Sequence, residues 1–179
     1  MTRLETAAFH RRSMAERIRR ATRLGIAIGL GAAATHAAAV TCTVSTPGVA
    51  FGTYDVYAAG VTNGNGTLTV ICNYDASDTG VINLTYAISL AAGSSNSYVQ
   101  RQMQSGANTF GYNLYTTNTY AVVWGDGTGS TATISGTMRL NNGHPSQTNT
   151  HTVYGRIPAL QDVAVANDYR DNVTATVTY

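Results

Sequence analysis

Apolar and polar residues alternate in short segments along residues 40–179, and turn residues separate the segments. A period of two is typical of a β-strand that buries one face. In the clearest segment, 82–90, the residues that share one face are Ile82, Leu84, Tyr86, Ile88 and Leu90. The predicted strands are 40–45, 48–55, 66–72, 82–90, 110–116, 120–127, 131–140, 150–160 and the last segment of the chain.

The segments between these strands indicate the fold class. Residues 63–66, Asn-Gly-Asn-Gly, are typical of a turn, and residues 141–149 form a polar loop pattern. No stretch of the chain sustains the 3.6-residue period of a helix. Many short strands at regular spacing predict an all-β domain, an immunoglobulin-like β-sandwich, with a closed barrel as the alternative.

The last segment, "DYRDNVTATVTY", alternates with particular regularity. Its apolar residues are Val173, Ala175, Val177 and Tyr179, and its polar ones are Asn172, Thr174, Thr176 and Thr178. The pattern predicts a half-buried strand. A terminal strand needs neighbours on both sides or a protected edge, so the sequence raises the question of what pairs with it.

Residues 1–39 have a different composition. Seven arginines precede the small apolar run "LGIAIGLGAAA" at 24–34, and small residues follow in "THAAAV". This order is typical of a secretory signal peptide, and the apolar run is too short to span a membrane. We expect cleavage between Ala37 and Val40, which leaves one domain over residues 40–179.

Removing the predicted signal peptide reverses the sign of the charge. The whole chain is formally +2, but residues 40–179 keep four Arg against seven Asp, with no Lys and no Glu, which gives a net charge of −3. Binding of nucleic acid requires clustered cationic side chains, so the sequence argues against it.

Two cysteines remain in this domain, Cys42 and Cys72. In an exported protein two cysteines indicate one disulfide. A redox or metal-binding pair is the competing interpretation, but the spacing is not that of a CxxC motif and no histidine lies nearby in the sequence. We therefore predict a Cys42–Cys72 disulfide.

No catalytic, cofactor-binding or metal-binding site is predicted. The sequence lacks the G-x-S-x-G and H-E-x-x-H motifs. His144 and His151 are the only histidines of the domain, and they lie in or beside the polar loop. The "GDGTG" run at 125–129 has no lysine and opens no helix, so it predicts a turn. The chain is therefore predicted not to be an enzyme.

Several segments together resemble one family, the spore coat protein U domain, which includes subunits of archaic chaperone–usher pili. They are "CTVSTPGVAFGTYD", "GTLTVICNY", "FGYNLYT", "WGDG" and "YGRIPALQDVAVANDYRDNVTATVTY", and they occur in this order over nearly all of residues 40–179. The closing segment, with its Y-G-x-I-P start and alternating end, carries most of the resemblance.

The resemblance implies an immunoglobulin-like sandwich that lacks its final strand. A periplasmic chaperone and then another pilus subunit, assembled at an usher, fill the gap by β-strand addition. The acceptor edge would comprise Val173, Ala175, Val177 and Tyr179, and the family's disulfide would correspond to Cys42–Cys72. The protein would cross the periplasm and end at the cell surface, in a fimbria or coat.

The segment before Cys42 is shorter than the one that a polymerising pilin needs. Such a subunit needs an N-terminal donor segment of roughly ten residues with alternating apolar positions. Cleavage between Ala37 and Val40 leaves only a few residues before Cys42. We therefore expect this chain to accept a donor strand without giving one, which is the role of a subunit at the tip of a fibre.

Two other functions compete with this interpretation. The first is a self-complete secreted module that recognises a glycan or a surface through exposed tyrosines and Trp124, since aromatic side chains are common at interfaces. The second is a hydrolase that uses Asp162, Asp168 and Asp171, which lie close together in the sequence. Exposed aromatics would favour the first, and clustered carboxylates in a deep pocket the second.

Overall fold

The computed structural model describes residues 40–75 and 80–179, so the predicted signal peptide 1–39 lies outside the described residues. The strands of the described ranges are β1 Val40–Ser45, β2 Val49–Ala50, β3 Thr62–Tyr74, β4 Val81–Leu90, β5 Arg101–Ser105, β6 Asn108–Tyr115, β7 Val123–Trp124, β8 Thr131–Ala132, β9 Ile134–Asn141, β10 Ser146–Ile157 and β11 Ala175–Thr178. A 3₁₀ turn, Gly93–Ser95, follows β4. None of the described helical segments has the length and apolar character needed to span a membrane.

The strands form two sheets. The larger sheet has the order β1-β3-β10-β6-β7-β8, with β2 beside β3 and β5 beside β6, and the smaller sheet has the order β11-β4-β9. All pairs are antiparallel except β7 with β8. The predicted immunoglobulin-like β-sandwich is thereby confirmed, and the alternative of a closed barrel is not.

The core lies between the sheets and consists of residues on alternate positions of the strands. The predicted face of β4 is correct, since Tyr86, Ile88 and Leu90 are buried and Ile82 and Leu84 pack against them. The largest fully buried side chains are Trp124, Arg101, Tyr86, Leu68, Ile88, Leu140, Ile157 and Val70. The period-two pattern therefore identified the buried faces.

Trp124 is a correction to the sequence analysis, which placed it at the surface. Its side chain is 0% exposed, and its indole N–H donates to the carbonyl oxygen of Ile88 at 2.9 Å. A buried indole needs an acceptor for its N–H, and β4 supplies one. Trp124 thus joins the two sheets and is not available to a ligand.

The predicted turn at 63–66 is also wrong, because these residues belong to β3. Gly64 pairs with Gly155 of β10, and the chain at 48–51 crosses over both glycines. A Cβ at Gly64 would lie 2.6 Å from the carbonyl oxygen of Ala50, and one at Gly155 would lie 2.6 Å from the ring of Phe51. The glycines are therefore required for close approach between chain segments.

Candidate functional site: an open groove beside the last strand

The last strand, β11, has one paired edge and one open edge. It pairs with β4, and no second strand of the described residues pairs with it. The N–H of Ala91 donates to the carbonyl oxygen of Thr174 at 2.9 Å, so alternate residues from Thr174 onward direct their peptide groups toward β4. The peptide groups of Ala175 and Val177 consequently point to the open edge.

The predicted acceptor residues fall into two sets. Val173, Ala175 and Val177 are half-buried and pack against the core. Tyr179 is 52% exposed, and its hydroxyl oxygen accepts a hydrogen bond from the N–H of Cys42 at 3.2 Å. Three side chains thus face the interior, and the fourth reaches across to β1. Their role as an acceptor stays a prediction.

Two adjoining cavities lie between the chain at 46–56 and the chain at 163–175, and we call them together the open groove. Their volumes are about 240 and about 530 Å³. Val49, Phe51, Met103 and Tyr169 line both cavities. The first cavity reaches Val173 and Ala175, so the groove runs up to the open edge of β11.

The groove is lined mainly by apolar and aromatic side chains. Phe110 contacts the rings of Tyr54 and Tyr169, with centroids 4.7 and 5.4 Å apart, and Phe51 contacts Tyr112 at 5.7 Å. All these pairs are edge-to-face, the arrangement that aromatic rings prefer. The sequence analysis missed Phe51 and Tyr169 as groove residues, although the alternation in "GVAFGTYD" contains the first of them.

Polar contacts hold the 163–175 wall of the groove in place. Arg170 and Gln104 exchange two backbone hydrogen bonds, at 2.8 and 3.1 Å. Asp171 accepts hydrogen bonds from the N–H and hydroxyl of Ser94, at 2.9 and 2.6 Å, and from the Tyr112 hydroxyl at 2.8 Å. Burial, together with the hydrogen bond to Asp171, raises the pKa of Tyr112.

The hydrogen bonds of Asp168 and Asp171 argue against a hydrolase site built from these aspartates. Asp168 accepts a hydrogen bond from the Ser105 hydroxyl, while Asp171 is held by Ser94 and Tyr112. Each of these carboxylates fixes a loop, and they are not presented as a pair to one cavity, since only Asp171 lines the groove. Both carboxylates lie on the segment that leads into β11, where Arg170 pairs with Gln104, and their hydrogen bonds to Ser105, Ser94 and Tyr112 give them structural roles.

The predicted disulfide between Cys42 and Cys72 is confirmed. It joins β1 to β3 at directly opposite positions, with a Cα–Cα distance of 4.1 Å. The N–H of Cys42 points away from β3, toward Tyr179. The disulfide therefore fixes the β1 edge that faces the open edge of β11.

Arg101 is a buried residue that the sequence analysis did not single out. Its side chain is 0% exposed and donates to the carbonyl oxygens of Ala91 and Trp124 and to Asn113 Oδ1, at 2.7–3.0 Å. Burial lowers its pKa. The N–H of Ala91 also donates to the carbonyl oxygen of Thr174, the residue before β11. Arg101 therefore holds the residue to which the start of β11 is hydrogen-bonded.

The histidines serve separate structural roles. His144 is exposed, and its N–H donates to the carbonyl oxygen of Asn141 in a turn. His151 lies in β10, beyond the predicted loop, with its Nε2 atom 2.9 Å from the Tyr86 hydroxyl, and burial lowers its pKa. The described residues contain no group of three metal-ligating side chains.

The chain is similar to solved structures and to one family model. No curated protein matches the chain. One solved structure that resembles it is a complex of the archaic chaperone–usher Csu pili of Acinetobacter baumannii, the CsuC–CsuE chaperone–tip adhesion subunit pre-assembly complex. The two chains are 19% identical with a TM-score of 0.48, and the alignment covers 79% of this chain and 40% of that one.

The family assignment rests on a match to a family model. The model of the Spore Coat Protein U domain matches residues 30–176, which is most of the chain. That range contains both cysteines, both walls of the open groove and the first half of β11, Ala175 and Thr176. The chain therefore belongs to the spore coat protein U domain family.

Proposed function

We propose that this protein is an exported structural subunit of a bacterial surface fibre or coat, and that its open groove accepts a β-strand from another chain. The observation that carries the proposal is the open edge of β11, where the outward peptide groups of Ala175 and Val177 lie beside an apolar groove. An added strand would gain main-chain hydrogen bonds there and bury alternate side chains in the groove.

The partners follow from the family and from this edge. A periplasmic chaperone would cover the groove first, and a neighbouring subunit would replace it at the usher. Membership of the spore coat protein U domain family, whose model matches residues 30–176, supports this order of partners. The predicted signal peptide at 1–39 accounts for export to the periplasm and then to the cell surface.

A position at the tip of a fibre is a further part of the proposal. It depends on cleavage between Ala37 and Val40, which leaves few residues before Cys42, and on the disulfide that ties Cys42 to β3. Mass spectrometry of the exported protein tests it. A mature N-terminus before about residue 30 would leave enough chain for a donor strand of roughly ten residues and would contradict the tip position.

The main test compares two adjacent positions on β11. Ala175 lines the groove, whereas Thr176 is exposed on the outer face. We expect Ala175→Asp to abolish co-purification with a co-expressed periplasmic chaperone of the chaperone–usher class, because a carboxylate would enter an apolar site. Thr176→Asp adds the same charge and should leave co-purification unchanged.

Two results would contradict the proposal. One is a wild-type protein that folds fully and resists protease without any partner. The other is equal chaperone binding by the Ala175→Asp and Thr176→Asp variants. Formation of the Cys42–Cys72 disulfide in each variant, measured by thiol labelling, separates loss of binding from failure to fold.

A further inference from the structure

A cluster of three tyrosines and one arginine lies on the outer face of the larger sheet. Tyr154 and Arg156 occupy β10 between the buried residues Val153, Gly155 and Ile157, so their side chains point away from the core. Tyr115 of β6 lies opposite Tyr154, and Tyr120 comes from the loop that follows β6. We call Tyr115, Tyr120, Tyr154 and Arg156 the tyrosine–arginine cluster.

The rings and the guanidinium are in contact. The ring centroid of Tyr120 is 5.4 Å from that of Tyr115 and 6.4 Å from that of Tyr154. The guanidinium carbon of Arg156 lies 3.6 Å from the Tyr120 centroid, and its Nε–H donates to Asn63 Oδ1 at 3.1 Å. The ring and Asn63 together hold the guanidinium in one orientation.

The charge of Arg156 has no carboxylate partner in the described part of the chain. Its only hydrogen bond there is the one from Nε to Asn63, which leaves both terminal nitrogens as donors. The domain carries a net charge of −3, so an unpaired cation packed among tyrosines is not explained by the general charge of the surface. A fixed guanidinium with two free nitrogens matches the geometry of a carboxylate.

Tyr120 has a backbone conformation that is uncommon for its side chain. Its φ is +55°, in the left-handed region where glycine and asparagine are favoured. The turn that places it, closed by the Tyr120 N–H bond to the carbonyl oxygen of Thr117, would accept either of those residues more easily. An aromatic ring is therefore held at this point despite a backbone cost.

We propose that the tyrosine–arginine cluster binds a carboxylated sugar of an acidic polysaccharide. The two terminal nitrogens of Arg156 would pair with the sugar carboxylate, and the rings of Tyr115 and Tyr154 would contact the pyranose. The cluster is on the opposite face of β10 from Val153, which lines the open groove. Sugar binding is therefore independent of strand addition and goes beyond the proposed function.

The test is a calorimetric or NMR titration of the exported protein, or of its complex with the chaperone, with tetragalacturonate. We expect Arg156→Gln to weaken binding by about tenfold or more, the range for loss of charge-assisted hydrogen bonds. Arg156→Lys should weaken it as well, because lysine keeps the charge but lacks the planar pair of donors. Arg139→Gln, an exposed arginine on β9, removes the same charge elsewhere and should bind as the wild type does.

Three results would overturn the proposal. They are no binding of tetragalacturonate by the wild type, equal binding of the neutral sugar maltotetraose, and an equal loss in the Arg139→Gln and Arg156→Gln variants. A purely structural cluster, which only fixes the 116–122 loop, predicts destabilised variants without any sugar binding. Unfolding by urea, measured on the same samples, distinguishes that case.

Discussion

Arg101 is a buried cation whose hydrogen-bond acceptors are all neutral. Two backbone carbonyl groups and one amide accept its hydrogen bonds, and it supports both Trp124 and the peptide of Ala91. A buried charge of this kind is tolerated only when its donors are satisfied, because desolvation opposes the charged form. This residue therefore fixes the junction between β4, β7 and the start of β11.

Replacing Arg101 with Met should destabilise the protein by about 3 kcal/mol or more, since three acceptors would lose charge-assisted hydrogen bonds. The measurement is urea unfolding followed by tryptophan fluorescence, because Trp124 is in contact with the site. Arg139→Met at an exposed position is the matched control and should change stability by less than about 0.5 kcal/mol. Equal effects would contradict this role for Arg101.

His151 gives a second prediction at the scale of one residue. Burial lowers its pKa in the folded state, so the unfolded chain binds the proton more readily. Stability from this group is complete above the unfolded pKa of about 6.5 and is lost as the pH falls below it. We expect urea midpoints to fall between pH 7.5 and pH 5 in the wild type and to fall less in His151→Gln. His144→Gln, at an exposed histidine, should behave as the wild type does.

At the scale of elements, β1 and β11 are edge strands of the two sheets of the sandwich. The disulfide holds β1 on β3, and β4 holds β11. Each strand thus has one satisfied edge and one edge toward the gap between them. This arrangement holds the edges of both strands in position beside the open groove.

Removal of the disulfide should loosen the β1 side of this gap. For a loop of sequence separation 30, the chain-entropy model gives a loss of about 3–4 kcal/mol in the Cys42→Ser, Cys72→Ser double variant. Urea unfolding of the chaperone-bound and free protein checks the value. Amide exchange should increase first in β1 and leave β4 protected, and uniform exchange would argue against a local role.

The sequence predicted the faces of the strands better than their ends. Alternation identified the buried residues of β3, β4 and β10, because the side-chain period of a strand is a local property. It could not show that β2 ends at Ala50 or that Gly64 is in a strand, since both depend on the contact of Phe51 with Gly155, far away in the chain. The β10 strand also begins four residues before the predicted position.

The candidate site was predicted on one side only. Val173 and Ala175, which line the groove, were predicted from their alternation. Tyr169 of the same wall, and Val49 and Phe51 of the opposite wall, were not predicted to line it. Trp124 was misplaced because its partner, Ile88, is distant in sequence. The hydrophobic pattern of one segment does not show which distant segment it pairs with.

At the scale of the whole molecule, the open groove is expected to limit the stability of the isolated protein. An apolar surface of this kind is a hazard for aggregation until a partner covers it. We expect the free protein to be cleaved by a broad-specificity protease within the 163–175 wall, and the chaperone complex to be resistant. Mass spectrometry of the fragments locates the cuts, and cleavage confined to the 141–146 loop would contradict the prediction.

The hydrogen bond between the Tyr179 hydroxyl and the N–H of Cys42 bears on the order of events in the proposed addition of a strand. An incoming strand that pairs with β1 at this point must first displace the hydroxyl, whereas one that pairs only with β11 can leave it in place. The amide proton of Cys42 therefore reports whether the added strand pairs with β1 or only with β11. Its chemical shift, followed during complex formation, would distinguish a strand that docks on one edge from one that closes the gap.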